Sequence, residues 1–176
     1  MAGIPRGDAP NILDRSYTIT AEGEIPKERA EGMLNTNGGR FAGYGLYLLK
    51  GKPVFTYNLA DFVRFRWEGK EALTPGKHIV AFDFTYDEPG MGKGGTGVLK
   101  VDGKAVDTKK IPHTLAITTQ WDETFDVGSD TGTPVDDKDY QCTFAFTGKL
   151  NKLTVQVGPM QLAPPEKKEI SKESQK

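Results

Sequence analysis

Apolar and polar residues alternate along four stretches of the chain with the period of two that a half-buried β-strand requires. Each stretch would bury one face and leave the other in water, as in an antiparallel sheet packed on a second sheet. The apolar positions are Tyr17, Ile19, Ala21 and Ile25, then Val63, Phe65 and Trp67, then Val80, Phe82, Phe84 and Tyr86, and last Leu153, Val155 and Val157. The pattern predicts an all-β fold, an antiparallel β-sandwich.

Short turn signals separate the predicted strands. Asp102-Gly103 lies between apolar runs at 98–101 and 105–108, and a type I′ hairpin turn favours this dipeptide because both central residues need a positive φ. Lys50-Gly51-Lys52 separates the runs at 45–49 and 54–59 in the same way. Only residues 26–32 predict a helix, of a single turn.

The length of 176 residues suits one domain with a core of its own. Residues 1–11 are rich in Gly, Pro and Asp, and from Ala163 onward the chain has Pro-Pro followed by Lys, Glu and Ser. Such segments bury little apolar surface. We therefore predict an N-terminal linker at 1–11, the β-sandwich at 12–160 and a mobile C-terminal tail at 161–176.

Charge and hydropathy argue against two classes of partner. The formal net charge is −1, which provides no electrostatic attraction to nucleic acid or to an anionic membrane surface. No apolar run is long enough to span a bilayer, and the first ten residues lack the apolar core of a signal peptide. We expect either an internal protein or a fragment of a longer, exported chain.

The single cysteine, Cys142, excludes an internal disulfide. It adjoins an apolar run, and we predict that it is buried as a small hydrophobic residue. The alternative, a catalytic nucleophile, requires a histidine partner, and His78 and His113 are the two candidates.

A glycine-rich stretch at 90–95, GMGKGG, matches the dinucleotide fingerprint G-x-G-x-x-G. That fingerprint binds pyrophosphate only where a helix begins at the glycines. Here the following residues, 96–101, predict a strand that enters the Asp102-Gly103 hairpin. We interpret the stretch as a loop that joins two strands.

The segment 122–139 is strongly acidic, with Asp122, Asp126 and Asp130 among its seven carboxylates and Lys138 as its only cation. Carboxylate oxygens in this density could hold Ca²⁺, and we predict those three aspartates as its ligands. The spacing differs from that of an EF-hand, and the alternative is a solvated loop whose aspartates cap backbone N–H groups. Catalysis by a carboxylate pair, as in glycosidases, is a further alternative.

Aromatic residues with polar neighbours suggest a sugar site, because the C–H faces of sugars stack on aromatic rings. The candidates for ligand binding are Tyr57, Asn58, Arg64 and Trp121. The alternative is that the aromatic side chains belong to the core, as we expect for Trp67, which shares its face with Phe65.

The chain resembles the C-terminal accessory domain of the long bacterial arylsulfatases. The resemblance runs in order from about residue 12 to residue 158 and includes glycines and aspartates as well as apolar positions. It rests on the stretches 12–21 (ILDRSYTITA), 38–47 (GGRFAGYGLY), 51–59, 66–68, 73–78, 92–103 (GKGGTGVLKVDG), 122–128 (DETFDVG), 130–135 and 144–148. It implies a concanavalin A-like or laminin-G-like jelly roll in which the last strand returns beside the first.

The catalytic half of such an enzyme has no counterpart in this chain. Sulfatases need Cys/Ser-x-Pro-x-Arg and a metal-binding cluster, whereas Thr143, Phe144 and Ala145 follow Cys142. The resemblance therefore implies no catalytic residue, and apart from the Ca²⁺ considered for the acidic segment we expect no cofactor. We expect a non-catalytic module that packs on a sulfatase catalytic domain or another protein. The alternatives are a binding module for carbohydrate, including sulfated glycans, and a glycosidase that uses carboxylates of the acidic segment.

Overall fold

The computed structural model describes residues 1–117 and 122–162. Within them lie ten β-strands: β1 (Tyr17–Ile25), β2 (Gly32–Gly38), β3 (Gly43–Leu49), β4 (Lys52–Leu59), β5 (Val63–Glu68), β6 (Gly76–Tyr86), β7 (Lys93–Val101), β8 (Lys104–His113), β9 (Phe125–Val127) and β10 (Lys149–Val157). No helix in the described residues is long and apolar enough to cross a membrane.

The strands form two antiparallel five-stranded sheets. The first has the order β10-β1-β6-β7-β8, and the second has the order β5-β4-β3-β2-β9. β10 lies antiparallel to β1, with Val157 opposite Tyr17. The expected return of the last strand beside the first is therefore confirmed, as is the β-sandwich.

Most of the predicted alternating side chains fill the space between the sheets, whereas Val63 and Val157, at the ends of their strands, are exposed. Phe55 of β4 stacks on Phe82 of β6 across the sandwich, with ring centroids 3.5 Å apart. The Trp67 indole is fully buried beside both rings and donates a hydrogen bond to the carbonyl oxygen of Gly97 at 2.9 Å. A Cβ at Gly97 would lie 2.6 Å from Phe82 and Trp67, so this glycine makes room for the aromatic layer. The prediction that Trp67 belongs to the core is confirmed.

The hairpin predictions are confirmed at both turns. Asp102 and Gly103 join β7 to β8 with φ values of 49° and 80°, and Lys50 and Gly51 join β3 to β4 with φ values of 52° and 80°. Both pairs have the two positive φ angles of a type I′ turn. The glycine-rich stretch is also a strand connection, since β7 begins at Lys93.

The predicted helical turn at 26–32 is wrong. The chain there is irregular and crosses from β1 in one sheet to β2 in the other. This connection is held by contacts with the residues that precede β10. The backbone N–H of Glu31 donates a hydrogen bond to Thr147 Oγ1, and the N–H of Thr147 donates one to the Glu31 carbonyl oxygen. Tertiary contacts override the weak local helix preference.

The ends of the predicted domain are structured where they are described. A 3₁₀ helix spans Arg6–Asp8 within the stretch predicted as a linker. Upstream of it, Ile4 forms a β-bridge with Phe125 of β9. At the other terminus, Gln161 accepts a hydrogen bond from the N–H of Gly90 at 2.7 Å. The predicted tail lies outside the described residues from position 163 onward.

Antiparallel pairing gathers the strand connections at two ends of the sandwich. The β2–β3, β4–β5 and β6–β7 loops lie at one end, together with the segment 114–117. The β1–β2, β3–β4, β5–β6 and β7–β8 connections lie at the opposite end. The segment 129–147 then covers the outer face of the second sheet, where Tyr140 packs on Met33, Tyr47 and Val54.

Candidate functional site

Asn58 and Arg64 lie opposite each other on β4 and β5, at the end that holds the β2–β3 loop. The Asn58 amide is fully buried and donates to the carbonyl oxygens of Gly39 at 3.0 Å, Arg40 at 2.6 Å and Val135 at 3.3 Å. The Arg64 guanidinium donates to Val135 and Arg40 at 2.9 and 3.2 Å. The structure therefore brings these two predicted ligand-binding residues together, where they fix neighbouring backbone.

The same two side chains also fix the β4–β5 loop, residues 60–62. The side-chain oxygen of Asn58, Oδ1, accepts a hydrogen bond from the N–H of Asp61 at 3.0 Å, and Arg64 forms an ion pair with Asp61 at 2.8 Å. Ala60 and Asp61 have φ values of 51° and 59°, and the N–H of Phe62 bonds to Leu59. Asn58 and Arg64 therefore both contact the turn that carries Phe62.

Two aromatic side chains are largely exposed on the loops that Asn58 and Arg64 contact. Phe41 is 59% exposed and Phe62 is 89% exposed, and the other aromatic residues with described side chains are less exposed. We call this part of the surface the aromatic end; it comprises residues 39–42, 60–62, 87–92 and 114–117. Arg40 lies there as well and forms a half-exposed ion pair with Asp137 at 3.3 Å.

Tyr57 is a part of the core and has no open face. Its hydroxyl accepts the N–H of Leu115 at 2.9 Å, and burial raises its pKa above the ordinary tyrosine value. Trp121 lies outside the described residues.

The sequence pattern did not single out Phe41 and Phe62. A signal for them exists, because each is an aromatic residue in a turn between two strands and not part of a strand's apolar–polar alternation.

Asp126 is buried and accepts four hydrogen bonds. They come from the N–H of Gly3 at 2.6 Å, the Thr124 hydroxyl at 2.8 Å, and both the N–H and the hydroxyl of Thr131 at 3.0 and 2.6 Å. Burial by itself would raise the pKa of Asp126, but these donors outweigh it and hold the pKa below its usual range. The carboxylate thus ties the N-terminus to the acidic segment.

Asp130 and Glu123 are also buried, but their pKa values shift upward, opposite to that of Asp126. Asp130 accepts the Tyr140 hydroxyl at 2.5 Å and the N–H of Gly132 at 3.2 Å, while Glu123 accepts the N–H and the hydroxyl of Thr133 at 2.9 and 2.6 Å. Burial raises the pKa of both carboxyls despite these hydrogen bonds. Both carboxylates thus accept hydrogen bonds from groups of their own segment.

Among the described residues, no group of three or more acidic, histidine or cysteine side chains is placed to hold a metal ion. Asp126 and Asp130 accept hydrogen bonds from different loop groups, and Asp122 is exposed. Calcium binding by Asp122, Asp126 and Asp130 stays a prediction.

Cys142 is partly buried and packs beside the Tyr47 and Tyr140 cluster, close to its predicted role as a small hydrophobic residue. Burial and the neighbouring Asp130 carboxylate raise its thiol pKa to about 12. A nucleophilic cysteine needs the opposite shift. His78, one of the two partners considered for it, contacts Asp102 and Thr74 instead.

Comparisons with known proteins identify the fold. No family model matches the chain. No curated protein matches it in sequence either. Among solved structures, the LG4-5 domains of the mouse laminin α1 chain align with a TM-score of 0.59 at 13% identity, over 91% of this chain and 39% of that one.

Two further structures agree with that comparison. The LG1-3 region of the laminin α2 chain aligns with a TM-score of 0.52 at 14% identity, over 84% of this chain and 29% of that chain. The CBM40 domain of the Ruminococcus gnavus IT-sialidase, bound to α2,3-sialyllactose, aligns with a TM-score of 0.51 at 12% identity, over 82% and 76% of the two chains. The chain therefore spans about two fifths or less of the laminin fragments and most of the CBM40 domain.

At these identities the likeness concerns the fold alone. Nothing in the comparisons indicates a sulfatase origin, so the arylsulfatase resemblance is not shown. The chain is an all-β, antiparallel two-sheet sandwich with laminin G and CBM40 jelly-roll domains as structural neighbours.

Proposed function

We propose that the chain is a non-catalytic carbohydrate-binding module whose ligand stacks on Phe41 and Phe62 at the aromatic end. The observation that carries the proposal is the placement of both rings, largely exposed, on loops that share the supports Asn58 and Arg64. Large aromatic side chains usually bury most of their surface, so a ring as exposed as Phe62, at 89%, calls for a binding partner.

Polar groups beside the rings suit a sugar. The C–H face of a pyranose packs on an aromatic ring, and its hydroxyls need donors and acceptors close by. Arg40 and Asp61 supply both at the aromatic end, and each has a half-exposed side chain. Because hydrogen bonds already order the loops, binding would immobilise few additional groups.

The structural neighbours are consistent with binding rather than catalysis. One of them is a carbohydrate-binding domain seen with sialyllactose, and the laminin G domains share the same sandwich. The buried carboxylates of the acidic segment accept hydrogen bonds from their own loop, as expected for a structural role.

A glycan array tests the proposal. The intact chain and the Phe41→Ala/Phe62→Ala double variant would be screened side by side, with Ile79→Ala as the control because Ile79 is an exposed apolar residue of β6. We expect glycan signals for the chain and the control that the double variant loses. Absence of any signal for the folded chain, or equal signals for all three proteins, contradicts the proposal.

A second candidate function is docking to a protein, with a sulfatase catalytic domain as the partner that the sequence resemblance implies. The observation in its favour is that Val63, Met91 and Ile117 are also exposed at or beside the aromatic end. Together with the two phenylalanines they give this end an apolar character, as interaction surfaces have. Co-purification with a sulfatase, lost on Phe62→Asp substitution, would support docking. Glycan binding without any such association would exclude it.

A further inference from the structure

The opposite end of the sandwich is assembled from five connections that contact one another. The N–H of Leu73 bonds to the Gly51 carbonyl at 2.9 Å, and the N–H of Lys50 bonds to Glu31 Oε1 at 2.8 Å. Thr147 joins the same group through Glu31. We call this surface the basic end; it comprises residues 26–31, 50–52, 69–78, 102–104 and 147–149.

Charge is distributed unevenly between the two ends. The basic end carries eight lysines and arginines against four carboxylates, and none of these eight cations forms an ion pair with a described residue. They are Lys27, Arg29, Lys50, Lys52, Lys70, Lys77, Lys104 and Lys149. The aromatic end, residues 39–42, 60–62, 87–92 and 114–117, carries three carboxylates and one cation. The near-zero net charge therefore conceals a basic surface.

A cavity of about 390 Å³ opens within the basic end. Its apolar lining comes from Pro53, Leu73, Val101 and Val106, and its polar lining includes both Lys70 and Glu71. This volume lies within the range of small-ligand sites, roughly 300–1,000 Å³. An apolar floor with cations nearby suits a ring that carries negative substituents.

His78 makes the wall of this cavity rigid. Its Nδ1 lies 2.7 Å from Asp102 Oδ2, and its Nε2 lies 2.9 Å from the Thr74 carbonyl oxygen. The ring thus links the β7–β8 turn to the β5–β6 connection, and residues 69–74 of that connection line the cavity. A site that is already ordered loses little entropy when a ligand binds.

We propose that the basic end binds a sulfated polysaccharide, with one sugar ring over the cavity and neighbouring sulfates on the unpaired lysines. The inference rests on charge and on the cavity, and it does not require sugar binding at the aromatic end. Single-stranded nucleic acid fits less well, because single strands bind through aromatic stacking platforms. Both of the largely exposed aromatic rings among the described residues lie at the other end.

Matched lysine variants test the proposal with heparin as the probe. The triple variant Lys70→Gln/Lys77→Gln/Lys104→Gln removes three unpaired cations, and Lys109→Gln/Lys110→Gln/Lys152→Gln removes three that form ion pairs elsewhere. We expect the first triple to weaken heparin binding at least tenfold and to lower the salt dependence by roughly three released ions, since each charge contact releases about one counterion. The second triple keeps most of the affinity.

Several outcomes overturn the proposal. They are no heparin binding by the intact chain, equal losses in both triples, equal binding of desulfated heparin, and tighter binding of single-stranded DNA at the same salt concentration. Ala72→Trp places a large ring at the cavity rim and is expected to weaken heparin binding. Unchanged affinity would contradict the placement of a sugar ring over the cavity. Phe62→Ala should leave heparin binding unchanged, which separates this site from the aromatic end.

Discussion

The side-chain amide of Asn58 and the guanidinium of Arg64 both donate a hydrogen bond to the carbonyl oxygen of Val135, at 3.3 and 2.9 Å. Asn58 is on β4, Arg64 is on β5, and Val135 belongs to the acidic segment. This shared acceptor connects the strands to the segment that covers the sheet. The same two side chains also contact Arg40 and Asp61, which adjoin Phe41 and Phe62 in sequence.

Replacing Asn58 with Ala should destabilise the fold by about 2–3 kcal/mol, because buried carbonyl groups lose their donor and keep their desolvation penalty. Urea unfolding measures the change. Asn151→Ala is the control, since Asn151 is exposed and its side-chain amide donates a hydrogen bond to Glu24. A loss below about 0.5 kcal/mol for the Asn58 variant would show that the loops do not depend on this amide.

Asp126→Asn should destabilise the protein at pH 7 by roughly 1.5–3 kcal/mol, the size expected for hydrogen bonds to a charged acceptor. The folded pKa of Asp126 is lowered, so its stabilising effect is present above the unfolded pKa and disappears as the pH falls through the folded value. The two proteins should therefore converge in stability in acid. Urea unfolding at pH 7 and near pH 3 measures this, and a difference that stays constant with pH would contradict the account.

The alternation of apolar residues was sufficient to predict the sandwich, because burial of one strand face is a local property of the sequence. The Asp102-Gly103 hairpin was predictable for the same reason, since its φ angles follow from the two residues. The site at the loops could not be predicted from the sequence in this way. Whether Asn58 contacts a ligand or three backbone carbonyls depends on Val135, which is 77 positions away. The exposure of Phe62 likewise follows from how the neighbouring loop is held, which strand periodicity does not encode.

Cys142 should react slowly with iodoacetamide at neutral pH, because the thiolate reacts and the pKa of the thiol is raised to about 12. Burial is the larger cause and the Asp130 carboxylate adds to it. Asp130→Asn removes that charge and should accelerate alkylation at pH 8. Mass spectrometry of the labelled protein measures both rates. Rapid wild-type labelling at pH 7, with the protein folded, would revive the nucleophile interpretation.

Phe62→Ala should change the free energy of unfolding by less than about 0.5 kcal/mol, because the ring is 89% exposed. Phe55→Ala, which removes a ring stacked on Phe82 in the core, should lose about 3–5 kcal/mol. Chemical denaturation of both variants makes the comparison. A large loss for Phe62→Ala would mean that the ring is needed for folding and would remove the argument that it is kept for binding.

The most direct test of the central claim is calorimetric titration of the best glycan from the array into the intact chain, Phe62→Ala and Phe62→Tyr. We expect Phe62→Ala to weaken binding about tenfold or more at unchanged stability, the loss expected for one stacked ring. Phe62→Tyr, which keeps the ring, should retain most of the affinity. Equal dissociation constants for all three proteins would contradict a sugar site at the aromatic end.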